Sequence, residues 1–210
     1  METSANTRKG KKNNISIIVR DWIGAFVLAL IVAIIFRVWL YAPYRVPTSS
    51  MKNTIQIGDH IFVSKHAYGL YFPFSQNRYF SSTIKRGDIV VFPYPVDPDI
   101  DYIKRVIGIG GDTIKIDDEK VYINGELEES EYLYFDPELL KIPESREIVI
   151  PQGKLWVMGD NRRNSKDSRY WGFVEEDTVI GKAEIIFFSH DPQKSLFEGY
   201  RTGRIGTFLE

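Results

Sequence analysis

Tyr102-Ile103-Lys104-Arg105-Val106-Ile107-Gly108 is the stretch on which the fold turns. In an extended segment successive side chains point to opposite faces. Tyr102, Lys104 and Val106 therefore share one face, with Ile103, Arg105 and Ile107 on the other. Short runs of the same kind, rich in Val, Ile and aromatics and bounded by Gly, Pro or Asp, recur on both sides: His60–Lys65, Asp88–Phe92, Thr113–Ile116, Lys154–Val157 and Glu184–Ser189. Asn124-Gly125, between Val121-Tyr122-Ile123 and Leu127, predicts a two-residue hairpin turn. No long segment of 3.6-residue period follows residue 45. The body is expected to be mostly β, with the more acidic, turn-rich region 117–150 forming an inserted small β subdomain.

The first forty residues are different. Trp22–Leu40 is a nineteen-residue apolar run with Arg37 its only ionic residue. As a helix it would measure about 28 Å, close to the hydrocarbon thickness of a bilayer. Trp22 at one end and Trp39, Tyr41 and Tyr44 at the other suit interfacial belts, and Arg37 can snorkel outward. The preceding residues 1–21 carry five cations against two anions. That basic head places the N-terminus in the cytosol and residues 43–210 on the far side of the membrane. The only nearby small residue, Ala42, has Leu40 at −3 and Pro43 after it, so the segment is expected to be an uncleaved anchor. The expected layout is a cytosolic basic N-terminus over 1–21, a transmembrane helix over 22–42 and an extracytoplasmic domain over 43–210.

Composition narrows the chemistry. With 210 residues, 43% hydrophobic and 14% aromatic, the chain can bury a core. It has no cysteine, which removes disulfides, thiol nucleophiles and thiolate metal sites. A net charge of −1 gives no general attraction to nucleic acid. His60, His66 and His190 have no metal-ligand spacing, so neither a metal nor a cofactor is expected. Gly108-Ile109-Gly110-Gly111-Asp112 precedes a strand rather than a helix, and reads as a tight turn instead of a phosphate cradle. Asp160–Asp167 lacks the sixth-position glycine of a calcium loop and carries three cations.

Three segments remain. Val46-Pro47-Thr48-Ser49-Ser50-Met51 is a hydroxyl-rich turn just beyond the apolar run. Tyr102–Gly108 puts a lysine on an apolar strand face, which disfavours its charged form. Met158–Gly172 is too polar for a core strand and too aromatic at its end for a linker. Any one of these alone is unremarkable as a loop or a solvated face. Together, in this order and behind one anchor, they resemble the bacterial type I signal peptidases, which show Pro-Ser-x-Ser-Met, Lys-Arg-Val-x-Gly and Gly-Asp-Asn-x-x-x-Ser-x-Asp-Ser-Arg boxes. Here these are Pro47–Met51, Lys104–Gly108 and Gly159–Arg169.

The resemblance implies a signal-peptidase-like all-β catalytic domain and a Ser-Lys dyad serine peptidase. Ser50 matches the nucleophile and Lys104 the general base. Thr48 and the Ser50 backbone N–H match the oxyanion hole, and Ser165 the hydroxyl that orients the lysine. Asp167 and Arg169 match a supporting ion pair, and Gly159 a backbone position beside the dyad. The implied partners are preproteins with N-terminal signal peptides and the lipid bilayer of the bacterial plasma membrane. Small side chains would enter shallow pockets lined by Val46, Met51 and Ile103. Tyr68–Phe74 reads equally as an interfacial aromatic stretch or a core hairpin. Thr48 stands where Ser is usual, Ser49 where Gly is common, Gly110 where Pro is frequent and Arg163 where an acid is usual; the last leaves open how Asp167 and Arg169 pair. Other readings are a self-cleaving Ser-Lys repressor, disfavoured by the anchor, a processing peptidase for one substrate, and an inactive membrane-tethered binding module.

Overall fold

A computed structural model describes residues 20–34, 40–71, 78–79, 82–138, 145–195 and 197–209. The chain divides into two compact units, Met1–Leu40 and Tyr41–Glu210. In the first unit, residues 20–34 form helix α1. Among the described residues no helix is long and apolar enough to cross a membrane. The rest of the apolar run, 35–39, lies outside the described residues, so α1 covers only part of the expected span.

The second unit is mostly β, and the strands described in it pair antiparallel. Its strands are β1 (Tyr41–Arg45), β2 (Asp59–Ser64), β3 (Leu70–Tyr71), β4 (Arg78–Tyr79), β5 (Ile89–Tyr94), β6 (Asp97–Ile109), β7 (Thr113–Asp117), β8 (Lys120–Ile123), β9 (Glu126–Leu127), β10 (Ser145–Val149), β11 (Lys154–Met158), β12 (Val174–Glu175) and β13 (Gly181–Ser189), with a one-turn helix α2 (Ser168–Trp171) after β11. Seven strands make the main sheet in the order β1-β2-β13-β5-β6-β11-β12. A second sheet, β10-β7-β8-β9, is built from Thr113–Val149, and β3 and β4 form a separate hairpin.

The opening stretch lies in the thirteen-residue β6, which changes partner at its middle. Ile89–Tyr94 of β5 pairs with Asp97–Arg105, and Leu155–Met158 of β11 pairs with Arg105–Ile109. Alternation divides its residues as expected. Val106 and Tyr102 pack with Val90, Phe92 and Val157, Ile103 packs against the Met51 cluster, and Ile107 joins Ile114 and Trp156. Turn chemistry supplies the corners. Asn124 and Gly125 both have positive φ, the pair of left-handed residues that a type I′ hairpin needs. Asn124 also accepts a hydrogen bond from Thr113 N (2.8 Å) and donates to Asp112 Oδ1 (2.8 Å), tying the β8–β9 turn to the start of β7. Gly111 has φ +96°, and Asp112 closes the turn by accepting from Ile109 N at 3.0 Å.

Of Tyr68–Phe74, Tyr68 is a core residue whose hydroxyl donates to Asp88 at 2.8 Å. Positions 72–74 lie outside the described residues.

Candidate active site

The β1–β2 connection carries Ser50. Ile55 N donates to Met51 O (2.8 Å) and Lys52 N to Ser49 O (3.0 Å), so the chain winds into a turn immediately after the serine. Met51 and Ile55, both fully buried, pin that turn into the core beside Val46 and Ile61. The loop after β11 straps it from the other side. Asn161 N donates to Ser50 O (3.0 Å), Asn161 Nδ2 to Ser49 O (3.2 Å) and Asn164 Nδ2 to Ser49 Oγ (3.1 Å). A Cβ on Gly159 would overlap Ser50 O and Ser165 Oγ, so glycine is what lets these two segments meet.

Lys104 comes to Ser50 from β6, at the point where that strand passes from β5 to β11. Its Nζ donates to Ser50 Oγ at 2.8 Å and to Ile103 O at 2.8 Å, and sits 5.1 Å from the centre of the Tyr102 ring. Only 3% of the residue is exposed. Burial pushes the amine down to about 8, against the opposing pull of Asp167 and Asp160. At pH 7 about one lysine in ten is then neutral, compared with about one in three thousand at the ordinary value of 10.5.

The two carboxylates are held by arginines. Arg105, on the face of β6 opposite Lys104, grips Asp160 with Nε and Nη2, each at 2.9 Å, and both side chains are buried. Asp167 caps α2 by accepting from Arg169 N, and is clamped by Arg169 Nε (2.8 Å) and Nη2 (2.9 Å). Gly159 N also donates to Asp167, at 3.1 Å. Arg163 does not interfere with that pair: it turns to Glu119 on the β7–β8 turn at 2.6 Å. Arg162 instead forms a buried fork on Glu128, 2.6 Å on each arm.

Ser50 and Lys104 open on a cleft of about 280 Å³ lined also by Thr48, Ile103, Asn164 and Lys166 among others. Thr48 is exposed on its rim. Of the three residues expected to line a substrate pocket, Ile103 does so. Val46 and Met51 are buried in the core cluster against which Ile103 packs, and do not line this cleft. Ser165 is buried beside Gly159, but its Oγ has no hydrogen-bond partner, so the expected contact with Lys104 is not formed. Sequence reasoning missed the Arg105–Asp160 fork. The only hint was a second cation, Arg105, assigned to an otherwise apolar strand face.

A family model matches residues 19–188 of the chain. A protein named signal peptidase I from Pseudomonas aeruginosa is 35% identical over 208 residues, covering 81% of this chain and 73% of that one. Its namesake from Rickettsia massiliae is 34% identical, covering 89% and 83%. A crystal structure of a signal peptidase I from Enterococcus faecalis V583 aligns at 31% identity and a TM-score of 0.42, covering 48% of this chain and 97% of that one. The chain is a peptidase. It belongs to the family described as signal peptidase, peptidase S26.

Proposed function

We propose that the chain is a membrane-anchored serine endopeptidase that removes N-terminal signal peptides from exported preproteins, cutting after small residues. The observation that carries this reading is the 2.8 Å contact between Lys104 Nζ and Ser50 Oγ in a site where burial holds the amine near 8. The printed names of the relatives supply the substrate class.

In the reactive state Lys104 is neutral and the contact runs the other way, with Ser50 O–H donating to Nζ. The serine oxygen attacks the scissile carbonyl while Lys104 takes its proton. Negative charge developing on the carbonyl oxygen is met by the Ser50 N–H and the Thr48 hydroxyl, and one such donor is worth about 3 kcal/mol in the transition state. The ammonium then returns its proton to the leaving amine. Water, deprotonated by the regenerated amine, hydrolyses the acyl-Ser50 ester. Asp167–Arg169 and Asp160–Arg105 keep carboxylates near Lys104 that are matched by fixed cations, so neither drives the lysine permanently into its charged form. A cleft of about 280 Å³ fits short side chains at the cut.

Trp22–Leu40 serves as the anchor, with the basic head over 1–21 cytosolic and 43–210 on the outer side of the bacterial plasma membrane. Tethering brings the enzyme to substrates whose own apolar signal segments lie in the bilayer. The test is incubation of a preprotein with the full chain in detergent, with cleavage read as a size shift on a gel. Wild type is expected to cleave, and folded Ser50→Ala and Lys104→Ala variants are expected to be inactive. Near-normal cleavage by either variant overturns the dyad.

A further inference from the structure

We infer that Tyr132, contributed by the arm that leaves the four-stranded sheet, is a positioning residue for the dyad: its ring covers the Arg105 guanidinium on the side of a cavity and helps keep water from the Arg105–Asp160 pair. The inference rests on the dyad reading above and assigns part of its control to a segment distant from Ser50 in sequence, which meets the turn after the serine through Asn53 Nδ2 and Glu131 O at 2.7 Å.

Residues 128–134 follow β9 and reach across to the loop after β11. Tyr134 N donates to Asp160 O (2.9 Å) and Arg162 N to Tyr134 O (2.9 Å), a short parallel bridge onto the loop that also holds Ser50. Within this arm the Arg105 guanidinium carbon lies over the Tyr132 ring, 3.9 Å from its centre. The ring is fixed at its far end, where its hydroxyl donates to Glu128 Oε1 at 2.8 Å, and Glu128 is in turn forked by Arg162. On the outer side of the ring is a cavity of about 740 Å³, whose lining includes Arg105, Tyr132, Thr54, Asp88 and Lys182. Arg105 lines this cavity yet is only 1% exposed. The ring shares the cover of the fork with Gly87 O and Thr54 Oγ1, which accept from the same guanidinium at 2.8 and 3.3 Å.

What the ring guards affects the base. Lys104 faces Ser50 from the β1–β2 loop, Asp160 and Asp167 from the loop after β11, Tyr102 on its own strand, and Asp101 and Lys166 across the cleft. Asp160 favours the charged amine, and the Arg105 guanidinium held flat against it offsets that pull. The groups facing Tyr132 are Arg105, Glu128 and Arg162, with Arg86, Asp88, Glu131 and Lys182 around the cavity. Without the ring the guanidinium keeps its bonds to Gly87 O, Thr54 Oγ1 and Asp160 but loses its cover on the cavity side, where water can enter and weaken the pairing with Asp160. Asp160 is then less compensated and the site is wetter, and both changes favour protonated Lys104.

The experiment is the pH profile of kcat/KM for preprotein cleavage by the full chain carrying Tyr132→Phe, Tyr132→Leu or Tyr132→Ala. Phe keeps the aromatic face but loses the hydroxyl anchor on Glu128, and is expected to move the limb less than Ala does. Ala is expected to move the acid limb up by about half a pH unit, the size of a partly exposed cation–π contact, with KM little changed. Leu fills the space without a π face and should move the limb the same way; it provides the reading if Ala does not fold. If the limb stays at the wild-type position in the folded Ala or Leu variants, whatever their kcat, Tyr132 is merely structural and the inference is overturned while the dyad stands. If wild type itself shows no acid limb, the dyad reading fails first.

Discussion

Lys104→Met separates what the site needs from what the fold prefers. Methionine fills much the same space without charge. In the folded protein the amine is held near 8 instead of 10.5, chiefly by burial. That difference amounts to about 3 kcal/mol against the folded state whenever the lysine is protonated. The hydrogen bonds from Nζ to Ser50 and Ile103 give back about 1 kcal/mol. The variant is therefore expected to be about 2 kcal/mol more stable than wild type at pH 7 while losing all peptidase activity. A lysine whose folded value is depressed leaves the unfolded chain holding more protons, so the wild-type deficit is complete below about 8 and is relieved as pH rises toward 10.5. Urea denaturation of the full chain in detergent at pH 7 and pH 10.5 measures both ends. A stability gap that is absent at pH 7, or that fails to shrink at pH 10.5, would refute the claim that Lys104 is protonated at a cost in the folded state.

Other substitutions probe the frame around the dyad. Gly159→Ala should cut kcat strongly and lower stability, because its methyl overlaps Ser50 O and Ser165 Oγ; kinetics with a melting curve check this. Ser165→Ala should reduce turnover without abolishing it, and should leave the melting temperature nearly unchanged, since its Oγ forms no hydrogen bond to lose. Arg204→Ala should cost about 3 kcal/mol by urea denaturation, because it strips the 2.6 Å partner from fully buried Asp59. That carboxyl, pushed up by burial, is held below its usual range by Arg204 together with Ser189 and Gln56. The contribution should therefore fade as pH falls through the carboxylate range.

Which features were legible follows from the range of the interactions involved. β6 could be read because alternation is local, and the same alternation correctly put Lys104 with Tyr102 and Val106. The Asn124-Gly125 turn was legible because its backbone angles select its residues. Met51, placed beside the cleft by its neighbour Ser50 in sequence, is fully buried in the core cluster with Ile55 and Ile61, a depth that sequence adjacency does not reveal. The tie of Arg105 to Asp160, 55 residues away, and of Arg204 to Asp59, 145 residues away, leaves no periodic trace. Tyr132 had no signal either, since it lies in a turn and its partner Arg105 is on β6, remote in sequence.

The central claim is that Lys104 is a base with a depressed affinity for protons, and its own titration tests this most directly. In the full chain in detergent micelles, carrying lysine labelled at Cε, the Lys104 resonance is expected to titrate with a midpoint near 8, matching the acid limb of kcat/KM. A midpoint at the ordinary lysine value of 10.5, with cleavage still proceeding at pH 7, would contradict the account.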